Sequence, residues 1–193
     1  MSLYDELREK HRSFIYHSYE FTEQDGNTLL RFHFSIDEYN FYPGWTFPEE
    51  FSGLSCDREL ADRIAFSLGM AELVSYWKCA CPPTVEVRCG GLTAWEKNWW
   101  KKLYYNGLGE FFYRNGITPD FDAFMTINAP EESPLTAGTN VLIGTLVPIG
   151  GGKDSVVTLE LLKKAGVDIS AYIINPRGAT LGCAAAAGIP EGL

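Results

Sequence analysis

The residues best suited to do chemistry are Gly150-Gly151-Gly152-Lys153-Asp154-Ser155. Three successive glycines leave no Cβ to block a ligand and accept positive φ without steric cost. Lys153 adds a fixed positive charge and Ser155 a hydroxyl donor. An apolar segment, Val141 to Ile149, precedes this stretch, and a helix-like run from Val156 to Ala165 follows it, closed by Gly166. Strand, glycine loop and helix start together turn unpaired backbone N–H groups, and the positive end of a helix dipole, toward one point. A phosphate is the ligand such a point suits.

Two familiar phosphate loops are excluded by spacing. A Walker A loop, G-x-x-x-x-G-K-[ST], needs Gly at 147 and Ser or Thr at 154, where this chain has Val and Asp. A dinucleotide loop, G-x-G-x-x-G, needs Gly at 155, where this chain has Ser.

The elements that must position the loop form a βαβ unit. Val167 to Asn175 reads as a second buried strand, followed by Pro176. A right-handed crossover makes it parallel to the first strand. Ligands sit at the C-terminal ends of such strands, which gathers the loop with Ile173, Ile174, Asn175 and Pro176. The intervening helix carries Val156, Val157, Leu159, Leu161 and Leu162, enough apolar surface to pack on a sheet. A third helix is expected from about Thr180 to Ala187. Two parallel strands make half a nucleotide-binding sheet, so the α/β domain is expected to be incomplete in this chain. An uncovered edge predicts association, a homodimer through that edge.

The preceding two-thirds reads as a separate α+β module, with the boundary near residue 135: residues 1–135, then 136–193. Phe14 to Tyr19 and Leu29 to Ile36 flank the turn signal Glu23-Gln24-Asp25-Gly26-Asn27, which predicts a β-hairpin. Phe32, Phe34 and Ile36 alternate with Arg31, His33 and Ser35, so one face is buried and His33 points to the other. Tyr39 to Pro48 reads as an aromatic loop that either lines a pocket or packs down on itself. Asp57 can cap a helix from Glu59 to about Lys78, with Phe66, Met70, Val74 and Trp77 on one stripe widened by Ala61, Ile64 and Leu68. Asp62 and Glu72 lie in that helix as solvated carboxylates. Thr84 to Arg88 is a short strand. Thr93 to Glu96 fits a capping box, opening an aromatic helix (Trp95, Trp99, Trp100, Leu103, Tyr104, Phe111, Phe112) read as core. Thr118 to Thr139 reads as a connection with one short apolar run, Phe121 to Ile127.

Composition narrows the function. Of 193 residues, 46% are hydrophobic and 14% aromatic, enough for a substantial core, and the net charge is −9. So acidic a chain is not expected to bind nucleic acid or anionic membranes broadly. The charged N-terminus has no apolar centre, no apolar run reaches membrane-spanning length, and the cysteine count is odd, five. A reduced, cytoplasmic protein is the expectation. Cys79, Cys81 and Cys89 can hold a metal only with a fourth ligand, and C-x-C is not a zinc-knuckle spacing, so free thiols are favoured.

The glycine stretch resembles the PP-loop of the N-type ATP pyrophosphatases, written SGGxDS, with Gly150 in place of the leading Ser. That family cleaves ATP between its α and β phosphates. Chain-wide, an aromatic α+β module with Tyr42-Pro43-Gly44-Trp45, the helical stretch Leu92 to Tyr113, and a late V-P-I-G-G-G-K-D-S-V-V-T-L-E-L-L look like the bacterial UDP-N-acetylmuramoyl-L-alanyl-L-glutamate epimerases. That resemblance implies an α+β module followed by a PP-loop ATP-binding domain. It implies ATP and Mg²⁺ as cofactors and a UDP-linked muramoyl dipeptide as substrate. Lys153, Asp154 and Ser155 become the catalytic candidates, with Asp154 the metal ligand. Gly150, Gly151, Gly152, Lys153 and Ser155 cradle pyrophosphate, and Ile174 and Asn175 meet the adenine. Two alternatives stay open: another PP-loop adenylating enzyme (tRNA thiolation or an amide ligase), or an inactive truncated nucleotide-binding homologue.

Overall fold

The computed structural model describes residues 2–47, 58–132 and 144–189. The Asp57 cap, Pro48, the start of the first βαβ strand at Val141 to Ile143, the connection at 133–143 and the tail from Pro190 lie outside the described residues. The chain forms two compact units, Met1–Leu135 and Thr136–Leu193.

The first unit opens with α1 (Leu3–Lys10), a helix that the sequence reading did not assign. Ser2 caps it, its side chain accepting the Asp5 N–H while the Asp5 carboxylate accepts the Ser2 N–H. The hairpin forms as expected, β1 (Ser13–Gln24) pairing antiparallel with β2 (Asn27–Ile36) around Asp25-Gly26, both at positive φ. The expected aromatic loop is instead two strands, β3 (Tyr39–Phe41) and β4 (Gly44–Phe47), both antiparallel to β2. Pro43 interrupts them but its carbonyl still accepts the Phe32 N–H at 2.8 Å, so the edge continues through the kink. β5 (Thr84–Val87) runs parallel to β1, and β6 (Thr126–Asn128) runs parallel to β5. The result is a mixed six-stranded sheet ordered β3-β2-β1-β5-β6, with β4 also on β2. β6 and the short helix α5 (Phe121–Phe124) arise where the sequence predicted only a connection. Phe124, Met125 and Ile127 are all buried there, but three apolar residues in so short a run show no period to read.

Helix α2 (Arg58–Trp77) lays Phe66, Met70, Leu73 and Trp77 on Phe14, Tyr16, Phe32 and Phe34 of the sheet. The 3- and 4-residue spacing of those four positions is one face of an α-helix. The stripe differs from the expected one: Ile64 is exposed and Ala61 only partly covered, while Ala65 and Leu73 are buried. Gly69 lets the sheet come close, since a Cβ there would overlap the Tyr16 hydroxyl. Helix α3 (Ala94–Gly107) starts at the expected Thr93–Glu96 capping box, and α4 (Gly109–Arg114) follows after a break at Leu108. Its aromatic stripe is not all core. Trp100, Tyr104 and Phe112 are buried, whereas Trp95 and Trp99 are exposed, because the apolar positions wrap more of the helix than the sheet can cover. Ser35, expected on the open face, is buried beneath the His17 ring that bonds to it.

The second unit is a parallel pair, β7 (Thr145–Pro148) and β8 (Ile169–Tyr172), with helices α6 (Lys153–Lys164) and α7 (Gly178–Ala186). Its core is Val147, Ile149, Leu159 and Ala187. Helix α6 buries Leu159 and partly Leu162, but Val156, Val157 and Leu161 stay exposed, contrary to the broad packing face expected, because two strands present a narrow surface.

Candidate functional site

The glycine loop leaves the C-terminal end of β7. Because β7 and β8 are parallel, the chain after β8 emerges at the same end, and the Ile149 N–H donates to the Tyr172 carbonyl at 2.8 Å to tie the two exits together. Gly150 to Ser155 therefore shares one end of the sheet with Ile174 and Asn175. Both of the latter are exposed, and Asn175 sits at φ 50°, a conformation asparagine tolerates better than most residues.

Helix α6 begins at Lys153, three residues before the helix-like run read from Val156, with Gly152 as its N-cap. Gly152 has no side chain to spend on the first-turn N–H groups, and no side-chain cap is made. The positive end of the helix stays available to an external acceptor. The glycines are not equivalent. Gly151 is at φ 79°, and a Cβ there would meet the Thr180 nitrogen at 3.0 Å and the Ala179 carbonyl carbon at 3.1 Å. Gly152 would meet nothing within 4 Å. Gly151 thus brings the start of α7 against the loop, while Gly152 faces open space. Residues Ala179 and Thr180, missed by the sequence reading, are packing partners of the loop; a strand-to-helix turn after Asn175-Pro176 was their one sequence signal.

Ser155 takes the Gly150 N–H on its Oγ at 3.1 Å, which closes the loop and leaves the hydroxyl proton free to donate outward. Lys153 and Asp154 are exposed, and neither makes an ion pair among the described residues. Arg177, an exposed cation on the turn between β8 and α7, is a further charge at this end that the sequence reading left out. A cleft of about 350 Å³ between α6 and α7 is lined by Gly151, Val156, Leu159, Ala179 and Cys183 among others.

The first unit holds a polar cleft of about 490 Å³ lined by Tyr19, Glu59, Asp62, Arg63, Cys89 and Glu132, among others. Arg63 is already engaged by Glu96, by Glu132 at 3.2 Å and by the Gly91 carbonyl at 3.1 Å. Burial pushes the thiols of Cys81 and Cys89 up to about 12, so both are neutral at physiological pH and poor nucleophiles. Among the described residues no group of three or more His, Cys, Asp or Glu side chains is arranged to hold a metal. His11 is buried and pairs with Asp37 at 2.5 Å. Among the described residues no helix is long and apolar enough to cross a membrane.

Comparison with known proteins points one way. The chain is 34% identical over 117 residues to the UDP-N-acetyl-alpha-D-muramoyl-L-alanyl-L-glutamate epimerase of Xanthomonas oryzae pv. oryzae (strain MAFF 311018), covering 61% of this chain and 26% of that protein. It is 34% identical over 110 residues to the Micromonospora sp. (strain ATCC 39149 / NRRL 15099 / SCC 1413) protein of the same name, covering 53% and 23%. The protein of that name from Salinispora tropica (strain ATCC BAA-916 / DSM 44818 / JCM 13857 / NBRC 105044 / CNB-440) aligns at 28% over 188 residues, covering 92% of this chain and 39% of its own length. The chain thus spans about a quarter to two-fifths of the length of these curated relatives. No solved structure matches it. A family model described as the MurL N-terminal domain matches residues 5–192, across both units, and the chain belongs to that family.

Proposed function

We propose that this chain supplies the ATP-binding loop of an epimerase that inverts the terminal L-Glu of UDP-N-acetylmuramoyl-L-Ala-L-Glu, forming AMP and pyrophosphate. The observation that carries this is the uncapped α6 N-terminus behind Gly150 to Ser155, in a chain of this family. The substrate comes from the relatives' names; the loop supplies the reason for ATP.

The residues fit a triphosphate. Gly152 leaves room on the open side of the loop, and the first-turn N–H groups have no competing side-chain cap. Among the described residues Lys153 has no carboxylate partner to lose, and Ser155 keeps a donor. Asp154, exposed and without an ion pair among the described residues, is the residue that would hold Mg²⁺, which supplies charge neutralisation between the phosphates.

The chemistry follows from the problem the substrate poses. An α-proton beside an ionised carboxylate has very low acidity. One carboxylate oxygen of the glutamate bonds to the α-phosphorus of ATP while the bond from that phosphorus to the bridging oxygen breaks. Pyrophosphate leaves with the electron pair. The backbone N–H groups of the loop, the Lys153 ammonium and the Ser155 hydroxyl stabilise the charge that builds on it. The acyl-adenylate has a neutral, polarised carbonyl, and its α-proton can be removed by a base and returned on the other face. Water then cleaves the mixed anhydride to AMP and the D-configured carboxylate.

Nucleotide product analysis tests this. ATP, Mg²⁺ and protein, for this chain and for a full-length relative, are resolved with and without the L-Glu substrate. AMP and pyrophosphate that appear only with that substrate support the reading. ADP, or no substrate-dependent product from either protein, overturns it.

A further inference from the structure

The outward face of the first unit's sheet carries a column of three flat rings. His17 and His33 stack with centroids 4.3 Å apart and planes 18° apart, and His33 and Tyr42 stack at 4.6 Å and 17°. A β-bulge between Tyr16 and Ser18 builds the column, placing two consecutive residues of β1 on the outward side near His33. Each imidazole is held by one nitrogen on a neutral partner. His17 Nε2 lies 2.8 Å from the Ser35 hydroxyl, and His33 Nε2 lies 2.8 Å from Asn40 Oδ1. The Asn40 amide is oriented by donation from its Nδ2 to the Glu38 carbonyl at 3.1 Å, so Oδ1 is the acceptor and His33 Nε2 the donor. His33 Nδ1 is then the ring nitrogen left over.

Two guanidiniums share this face. The backbone N–H of Arg88 donates to the Tyr16 carbonyl at 2.9 Å, placing Arg88 beside His17, and Arg31 stands two residues before His33 on β2. Neither side chain makes an ion pair or hydrogen bond among the described residues. The acids on this face are Glu20, the register partner of Arg31, and Glu86, which accepts from Asn128 Nδ2 at 3.0 Å, with Glu38 at the β2–β3 turn. This face therefore sets two arginines that form no ion pair among the described residues beside two imidazoles and an exposed tyrosine ring, with the three carboxylates at its margins. Tyr42 is 59% exposed, so a ring face remains open to a further flat group.

We propose that this face binds a nucleoside diphosphate, its base stacked on Tyr42 to extend the ring column and its diphosphate held by Arg31, Arg88 and the imidazole edges. The nucleotide's identity rests on the epimerase reading: the relatives' substrate carries a uridine diphosphate handle. Stacking supplies affinity for any base, and charge-assisted bonds to guanidinium supply the rest.

The test is a titration of the whole chain followed by NMR of the His17 and His33 ring nitrogens, with UDP, ADP, uridine and inorganic pyrophosphate as separate probes. Saturable shifts of both histidines by UDP are expected, with uridine and pyrophosphate each at least about ten-fold weaker because each keeps one half of the contact. Tyr42→Ala and Arg88→Gln are each expected to weaken UDP about ten-fold, and Tyr42→Phe to retain binding. Both positions are exposed, and a thermal melt of each variant checks that its fold is intact. UDP shifts of these histidines that are absent, or that survive both variants, overturn the proposal. ADP binding as tightly as UDP at these histidines keeps the site but removes the uridine assignment. UDP binding here without substrate-dependent AMP sinks the epimerase reading alone; AMP formation without these shifts sinks this site alone.

Discussion

Gly151 and Gly152 are adjacent and chemically identical, yet the same substitution at each has opposite consequences. Gly151→Ala places a Cβ at φ 79°, in the left-handed region, which costs about 1 kcal/mol or somewhat more. The new carbon meets backbone atoms of Ala179 and Thr180 at 3.0–3.1 Å, and backbone at a helix start cannot rotate aside. Relief requires α7 to shift, at about 1–3 kcal/mol for a forced overpacking. The sum is roughly 2–4 kcal/mol, borne by a unit whose buried core is Val147, Ile149, Leu159 and Ala187. That is a large share of the stability of any small domain. Gly152→Ala places its Cβ in open space at φ −94°, so the fold tolerates it within about 0.5 kcal/mol. In the proposed phosphate cradle that Cβ would crowd a ligand at the α6 N-terminus. Backbone amide spectra of the second unit report the fold, and calorimetric titration with ATP and Mg²⁺ reports the loop. Gly151→Ala is expected to lose dispersed second-unit signals. Gly152→Ala is expected to keep them and lose ATP affinity by ten-fold or more. An unchanged melt for Gly151→Ala refutes the steric argument, and unchanged ATP affinity in Gly152→Ala refutes the loop as a phosphate cradle.

Three further outcomes follow from the first unit. Phe124→Ala removes a ring packed 5.3–5.8 Å from Trp77, Tyr105 and Phe112 and is expected to cost about 3–5 kcal/mol in denaturant unfolding; a loss below 1 kcal/mol would show that α5 does not close the core. Burial pushes the Glu96 carboxyl up, but the Thr93 N–H and hydroxyl and the Arg63 guanidinium outweigh it and hold Glu96 below its ordinary value of 4.5. Its contribution is therefore present above pH 4.5 and lost as pH falls through the lower folded value, and Glu96→Gln should flatten that part of the acid-stability curve; an unchanged curve removes the capping network from the account. His17 is held below its ordinary value of 6.5, first by burial, then by the neighbouring His33 and Arg88. The unfolded chain then binds the proton more readily, so stability should decline as pH falls from 6.5 through the folded value, and NMR titration finding His17 at or above 6.5 contradicts the packed column.

The sequence's strongest signals were local ones. The hairpin was legible because its turn residues and its alternating strand lie within a few positions of each other. The Thr93–Glu96 cap was legible for the same reason, as side chain and backbone partner sit three residues apart. Helix α1 carries an equivalent signal, with Asp5 in place of glutamate. β6 was not legible, since its place depends on Thr126 and Asn128 meeting Thr84 and Glu86 some forty residues away. The aromatic helix misled because apolar periodicity counts residues that can be buried, and how many are buried depends on what lies opposite.

By itself the sequence determined that a glycine-rich turn joins an apolar strand to a helix at Gly150 to Ser155, since glycine's freedom and helix-end chemistry are local properties. The tertiary structure alone decided which glycine faces open space and which faces α7, because that depends on where Thr180 comes to rest. It alone assembled His17, His33 and Tyr42 into one column, through a bulge and a strand pairing that no residue type announces. Short-range chemistry is written in neighbouring residues; which distant surfaces meet is settled by the competition for burial across the whole chain.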